Sequence, residues 1–217
     1  MCIHQKIRRM KVHYEANYWD DLFSWKDLER LINIRPLMTT DRVNILGDEG
    51  GLKWSNTGWT KDPNCFPPSL IKDALDKNII FFSDMTKCTK KVNDFSKMLE
   101  KEYRLQTDAH IYVCRNTNIE HYFGAHFDWS DNVIVQCEGE TNFKVWDKVK
   151  DREQQPYKMN ITEDPILDVV MKPGDAIWIP RYHPHEAISR SIRLSVSFPM
   201  YNFGHFFEER KWISLTD

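Results

Sequence analysis

From residue 109 onward the chain is written in short runs of β-branched and aromatic residues separated by turn residues. They are HIYVCR, EHYFGAHFD, NVIVQC, TNFKVWD, PILDVVM, DAIWIP, HEAIS and SIRLSVSF. Eight such runs at near-regular spacing, with no helix-length periodic segment among them, predict a sandwich or barrel of antiparallel strands. Lys172-Pro173-Gly174-Asp175 places Pro and Gly at the two central positions of a type II turn.

Ahead of this region the periodicity is helical. Ser24 reads as the N-cap of SWKDLERLIN, with Asp27 at the capping-box position and Trp25, Leu28, Leu31 and Ile32 on one face. A second helix is expected from Ser69, after Pro67-Pro68. A third follows from Val92, Phe95, Met98, Leu99 and Tyr103 recurring at helical spacing in KKVNDFSKMLEKEYR. Short strands are expected over 42–46 and 78–82, with a loop containing Gly50-Gly51 and Gly58 between them, and residues 1–20 receive no assignment. No repeat or flexible linker divides the 217 residues. The expectation is one mainly β domain over 1–217, with a mixed α/β region at about 21–105 packed on a barrel core at about 109–200.

Charge and cysteine usage narrow the function classes. Thirty basic and thirty-two acidic residues give a formal net charge of −2, so charge does not indicate a nucleic-acid partner. The five cysteines are odd in number and contain no C-x-x-C pair, which points to free thiols in a reducing compartment. The N-terminal segment has no apolar run long enough for a signal peptide or membrane span. The protein is therefore expected to be soluble, intracellular and cytoplasmic, with no membrane partner.

Chemistry concentrates in GAHFDWSDNVIVQCEGETNFKVW, residues 124–146. Residues i and i+2 of a strand share a face, so His126 and Asp128 converge on one point while Phe127 turns away. The run IWIPRYHPHEAIS supplies His183 and His185 about Pro184, whose presence favours a strand start at a barrel rim. Either histidine is a candidate third ligand. Two histidines and a carboxylate leave coordination positions open on one side, as in non-haem Fe(II) oxygenases, although zinc hydrolases use the same ligand types.

HFDWSDNVIVQCEGETNFKVWD followed by MKPGDAIWIPRYHPHEA resembles the cupin-fold, JmjC-type 2-oxoglutarate oxygenases, nearest to the ribosomal-protein and asparaginyl hydroxylase branch. The H-x-D, the strand glycine, the strand ending near Trp, the P-G-D turn, the "IP" strand and the P-H-E occur in the family's order. The resemblance implies a double-stranded β-helix (cupin or jelly-roll barrel) with N-terminal helices packed on it. It implies Fe(II) held by His126, Asp128 and His185, with His183 either beside them or on the substrate side. The implied activity is that of a 2-oxoglutarate-dependent dioxygenase using dioxygen to hydroxylate a protein side chain or small molecule. Alternative readings are a metal-binding cupin without oxygenase activity, such as an isomerase or hydrolase, and a non-catalytic binding module.

One element departs from the pattern. The family usually places Lys or Arg two residues after the strand glycine to hold the distal carboxylate of 2-oxoglutarate, and here Gly139 is followed at that distance by Thr141. Lys144 has the wrong strand parity to replace it. In SIRLSVSF, Arg193, Ser195 and Ser197 alternate with Ile192, Leu194, Val196 and Phe198. Either the polar face meets water, or Arg193 and Ser195 enter the barrel while helices cover the apolar face. The second arrangement resembles the R-x-S anchor of other 2-oxoglutarate oxygenase branches, with Thr141 adding a hydroxyl. Resemblance to the asparaginyl hydroxylases places Asn132 near the iron-bound end of the co-substrate. Tyr112 either lines the pocket or fills the core, and Trp129 and Trp178 are expected to pack.

Overall fold

The computed structural model describes residues 10–39, 41–46, 65–115, 124–149 and 158–201. The loop glycines 50, 51 and 58, the first four residues of EHYFGAHFD, Cys2, His4, His121 and His205 lie outside the described residues. In chain order the elements are β1 (His13–Glu15), α1 (Trp25–Ile32), a 3-10 turn (Arg35–Leu37), β2 (Val43–Leu46), α2 (Pro68–Leu75), β3 (Ile79–Phe82) and α3 (Lys90–Tyr103). There follow β4 (Gln106–Thr107), β5 (His110–Cys114), β6 (Asp131–Glu138), β7 (Thr141–Val145), β8 (Leu167–Met171), β9 (Ala176–Ile179), β10 (His185–Ser189) and β11 (Arg193–Tyr201).

The helices start where local chemistry dictates. The Ser24 side chain accepts from the Asp27 N–H, and the Asp27 carboxylate accepts from the Ser24 N–H at 3.1 Å, completing a capping box on α1. Pro68 occupies the first position of α2, where a missing N–H costs nothing. Thr89 caps α3 by accepting from Val92 N–H at 3.2 Å. The α3 C-cap is Arg104 at φ 58°, a left-handed conformation that costs a non-glycine residue roughly 1–2 kcal/mol.

Two antiparallel sheets result. The larger has the order β1-β9-β6-β11-β5-β3-β2, with β4 also pairing β11, and the smaller is β10-β7-β8. The N-terminal strands β1 to β3 thus extend the large sheet. Seven of the eight runs from 109 onward form strands; the exception is the segment from Gly124 to Asp128. Gly124 adopts φ 55° and the His126 ring bonds its carbonyl, so this segment leaves the sheet and touches it through one bridge, His126 to His185. The Lys172–Asp175 turn closes with Gly174 at φ 92° and Asp175 N–H donating to the Lys172 carbonyl at 2.9 Å, as expected of type II.

The faces of the sheets settle the alternatives for β11. Leu194, Val196 and Phe198 join Val133, Val135 and Trp178 in a core completed by Leu28, Leu31, Ile71, Phe95 and Leu99 of the helices. Phe95 of α3 meets Phe198 at 4.7 Å between ring centroids. Each such fully buried side chain contributes roughly 1.5–3 kcal/mol. Between the sheets, Ile134, Phe143, Val145, Met171, Ile177, Ile179 and Ala187 form a second apolar cluster. Arg193, Ser195 and Ser197 are buried on that inner side, paired with Cys114, Tyr112 and His110 of β5. The interior is therefore divided: one part apolar, one part lined with hydroxyls, amides and a guanidinium. No helix among the described residues is long and apolar enough to cross a membrane, and Cys65, Cys88, Cys114 and Cys137 form no disulfide.

Candidate metal centre

His126, Asp128 and His185 come together at the rim between the sheets, with one ligand atom of each lying within 4.8 Å of the others. Among the described residues this is the single group of three such side chains that closes. The i, i+2 spacing of the first two survives even though their segment is not a strand. Reciprocal backbone bonds hold it against β10: His126 N–H to the His185 carbonyl at 3.0 Å and His185 N–H to the His126 carbonyl at 2.7 Å. The two imidazoles stand with centroids 4.3 Å apart.

The tautomers follow from the partners. His126 Nδ1 lies 2.9 Å from the Gly124 carbonyl and His185 Nδ1 lies 3.1 Å from the His183 carbonyl. A carbonyl only accepts, so each Nδ1 presents a hydrogen to it and each Nε2 is the ring nitrogen turned toward the centre, the usual outer bond of a metal-ligating histidine. His185 Nε2 faces Asp128 Oδ2 at 3.8 Å. Burial, then the neighbouring His185, lower the pKa of His126 to about 4, with Asp128 opposing the shift. His126 is thus neutral at physiological pH, the form that binds metal. The donor set fits a divalent transition metal.

The centre is open on one side. The histidines are buried, whereas the Asp128 side chain is 34% exposed. Beside it, Tyr182 is held at φ 67°, its N–H donating to the Asp128 carbonyl at 2.9 Å. Backbone strain of this kind costs on the order of 1–3 kcal/mol and collects at functional sites. Trp129 does not pack inside as expected. It is 57% exposed and meets Tyr182 and buried Phe127 at 5.6 Å each, because the turn that aims Asp128 inward sends the next side chain out. Trp178 is buried as expected. His183 stays outside the triad, its Nδ1–H donating to the Trp146 carbonyl at 3.1 Å.

The remaining candidates line the polar part of the interior. Arg193 is 2% exposed, its Nε donates to Ser195 Oγ at 2.9 Å, and its guanidinium lies 5.4 Å from the Tyr112 ring centre and 5.6 Å from that of Phe143. Burial lowers its pKa, and no carboxylate pairs with it among the described residues. Its Nη1 is buried without a partner, as is Thr141 Oγ1. Thr141 is connected to Arg193 through the wall: it pairs with Ser189, whose hydroxyl lies 3.6 Å from Cys114 Sγ, and Cys114 pairs with Arg193. Lys144 pairs with Glu186 and Asp168 across the small sheet and is only half-buried, consistent with its opposite parity. Asn132 sits nearer the triad, donating to Asp128 Oδ2 at 3.3 Å. Phe143 and Cys114, which had no signal beyond ordinary strand apolarity, join the wall through cross-strand register alone.

The family model for the JmjC domain matches residues 85–206. The bifunctional lysine-specific demethylase and histidyl-hydroxylase NO66 of Drosophila persimilis is 22% identical over 186 residues, covering 82% of this chain and 26% of that protein. The ribosomal protein uL16 3-hydroxylase of Escherichia coli is 32% identical over 80 residues, covering 35% of this chain and 21% of that protein. The chain thus spans about a quarter or less of these relatives' length. The solved structure of the Escherichia coli ribosomal oxygenase YcfD, in complex with cobalt and 2-oxoglutarate, aligns over 95% of this chain and 56% of its own, with TM-score 0.57 and 15% identity. At that identity the likeness is one of fold.

Proposed function

The chain belongs to the JmjC domain family, and from that premise we propose that it is an Fe(II)- and 2-oxoglutarate-dependent oxygenase acting on a protein side chain. The observation that carries the co-substrate half of this reading is Arg193, a guanidinium buried in the interior with Nη1 unpartnered and no carboxylate beside it. A buried cation in that state calls for an anion.

His126, Asp128 and His185 would hold Fe(II), leaving the side toward Asp128 open. Bound there with 2-oxoglutarate and dioxygen, the metal supplies oxidation of an unactivated C–H bond, with the co-substrate leaving as succinate and carbon dioxide. The protein positions and shields. The Arg193 side chain leans along β11 toward Ser195 and hence toward the triad end of the strand, so Nη1 would receive the distal carboxylate. Ser195 Oγ accepts from Arg193 and keeps its own hydrogen for the same carboxylate, and the Thr141 hydroxyl offers another. Tyr112 and Phe143 flank the guanidinium and keep water from it, which strengthens the ion pair. The second amide hydrogen of Asn132 is available to the end of the co-substrate nearest the triad. A substrate side chain would enter past Asp128, where Trp129 and Tyr182 stand.

Thr141 in place of the family's usual cation favours the rival reading, a metal-binding cupin without oxygenase activity. Anaerobic titration of the Fe(II)-loaded protein with 2-oxoglutarate separates the two. The oxygenase reading expects a visible charge-transfer band that disappears in Arg193→Ala, and succinate release without added substrate once air is admitted. Metal binding with no band in the wild type would sink the co-substrate assignment and leave the rival.

A further inference from the structure

Ser197 has no part in holding metal or co-substrate, yet its hydroxyl is 1% exposed and aimed at the metal centre through one intermediary. Its Oγ donates to Asn132 Oδ1 at 2.7 Å, and Asn132 Nδ2 donates to Asp128 Oδ2 at 3.3 Å. Ser197 on β11 and Asn132 on the neighbouring β6 lie in the polar part of the interior, and Asp128 lies at its rim on the segment before β6. Asn132 is itself 6% exposed.

The direction of this chain of bonds is set by chemistry. An ionised carboxylate only accepts, so Asn132 must turn its NH2 group to Asp128, which points its carbonyl oxygen at Ser197. A serine hydroxyl satisfies that oxygen by donating. Without it, the buried amide oxygen has no partner and the two amide orientations come closer in energy. The reversed one would set an oxygen against the Asp128 carboxylate. From this geometry we infer that Ser197 is a positioning residue of the metal centre: its hydroxyl locks the Asn132 amide, and the amide in turn fixes the Asp128 carboxylate facing His185. The inference rests on the reading of His126, Asp128 and His185 as metal ligands, and adds to it a residue two positions removed from the metal.

The arrangement answers a need peculiar to this centre. The histidines are each fixed by Nδ1 on a carbonyl and by the reciprocal backbone bonds between them. Asp128 is the most exposed ligand, and among the described residues Asn132 is the side chain that bonds its carboxylate. Such outer bonds to metal ligands are worth tenfold to hundredfold in metal affinity.

The test uses Co(II) as probe, read by its ligand-field absorption during titration of the metal-free protein. Ser197→Ala is expected to weaken Co(II) binding at least tenfold and to shift the spectrum. Ser197→Thr, which keeps the hydroxyl, should restore both. Asn132→Ala should weaken binding comparably, and Ser197→Ala should cost nothing further in that background, because its effect passes through the amide. Wild-type affinity and spectrum in Ser197→Ala would overturn the inference, and so would losses that add in the double variant. Should Ser197→Ala not fold, Asn132→Ala examines the same link from β6, and wild-type Co(II) binding there would equally overturn it. If the wild type bound no Co(II), the metal reading itself would fall, a failure visible without any variant.

Discussion

A guanidinium buried between two aromatic rings with Nη1 unpartnered carries a desolvation cost that an anion beside it would offset. If that anion is the distal carboxylate of 2-oxoglutarate, the cation can be moved and still serve. Thr141 faces the same interior with its hydroxyl unpartnered, at the position where the family usually carries its cation. Arg193→Ala is expected to weaken 2-oxoglutarate binding at least a hundredfold while Co(II) still binds. Adding Thr141→Lys to that variant should regain at least tenfold, because the truncated arginine leaves room for the lysine stem. Anaerobic titration of the three proteins checks this, and an unimproved double variant would mean that Thr141 does not face the carboxylate. His126 supports a pH prediction on the metal-free protein. Its pKa is lowered to about 4, so between the ordinary value of 6.5 and about 4 the unfolded chain takes up a proton that the folded chain refuses. The His126 contribution to stability should be constant above pH 6.5 and fall through that window, by on the order of 3 kcal/mol at its acid end. Thermal unfolding should show that slope in the wild type and lose it in His126→Gln. Gly139 tolerates no side chain: at φ 70°, an added Cβ would lie 1.5 Å from the Ile192 carbonyl oxygen. Gly139→Ala should therefore cost at least about 3 kcal/mol by denaturant titration, the backbone having to move and an αL alanine adding strain.

Elements were readable where one periodicity served one purpose. The capping box and apolar stripe of α1, the stripe of α3 and the alternation of β11 correspond to helices and a strand within three residues at each end. Ser24→Ala removes the side-chain half of that box and should cost about 1 kcal/mol, a fall in melting temperature of about 2–4 °C. Alternation alone left β11 with two placements, since an apolar face can turn toward a barrel or toward covering helices. Only packing against Phe95 and its neighbours decides it. The segment carrying His126 and Asp128 reads as a strand yet is not one. Gly124 at φ 55° bends it away, and a glycine's φ is not legible in its neighbours' alternation. Strand β1 is three residues with no apolar alternation, and it exists because β9 offers it an edge. The convergence of His126 and Asp128 could be read because H-x-D spacing survives loss of the strand. The link from Ser197 to Asp128 could not, because its first step joins Ser197 to Asn132, 65 positions apart, across two strands of the sheet.

At the scale of the whole molecule, the two larger apolar clusters and the candidate metal centre are separate structures. One apolar cluster lies between the large sheet and the helices and the other between the sheets, while His126, Asp128 and His185 lie at the rim and belong to neither. The helices cover one face of the large sheet, which is why the opposite face can afford polar groups along β11 and still be dry. Metal should therefore load a fold that already stands, unlike the small domains that unfold when their zinc is removed. Removing metal with a chelator is expected to leave a single cooperative unfolding transition. Adding Co(II) back should raise stability only by mass action, about 2.7 kcal/mol at a hundred times the dissociation constant and rising by about 1.4 kcal/mol for each further tenfold. Calorimetry across a Co(II) series checks both parts. A chelated protein without a cooperative transition would mean that the rim ligands hold the two sheets together, and that the apolar clusters alone do not suffice.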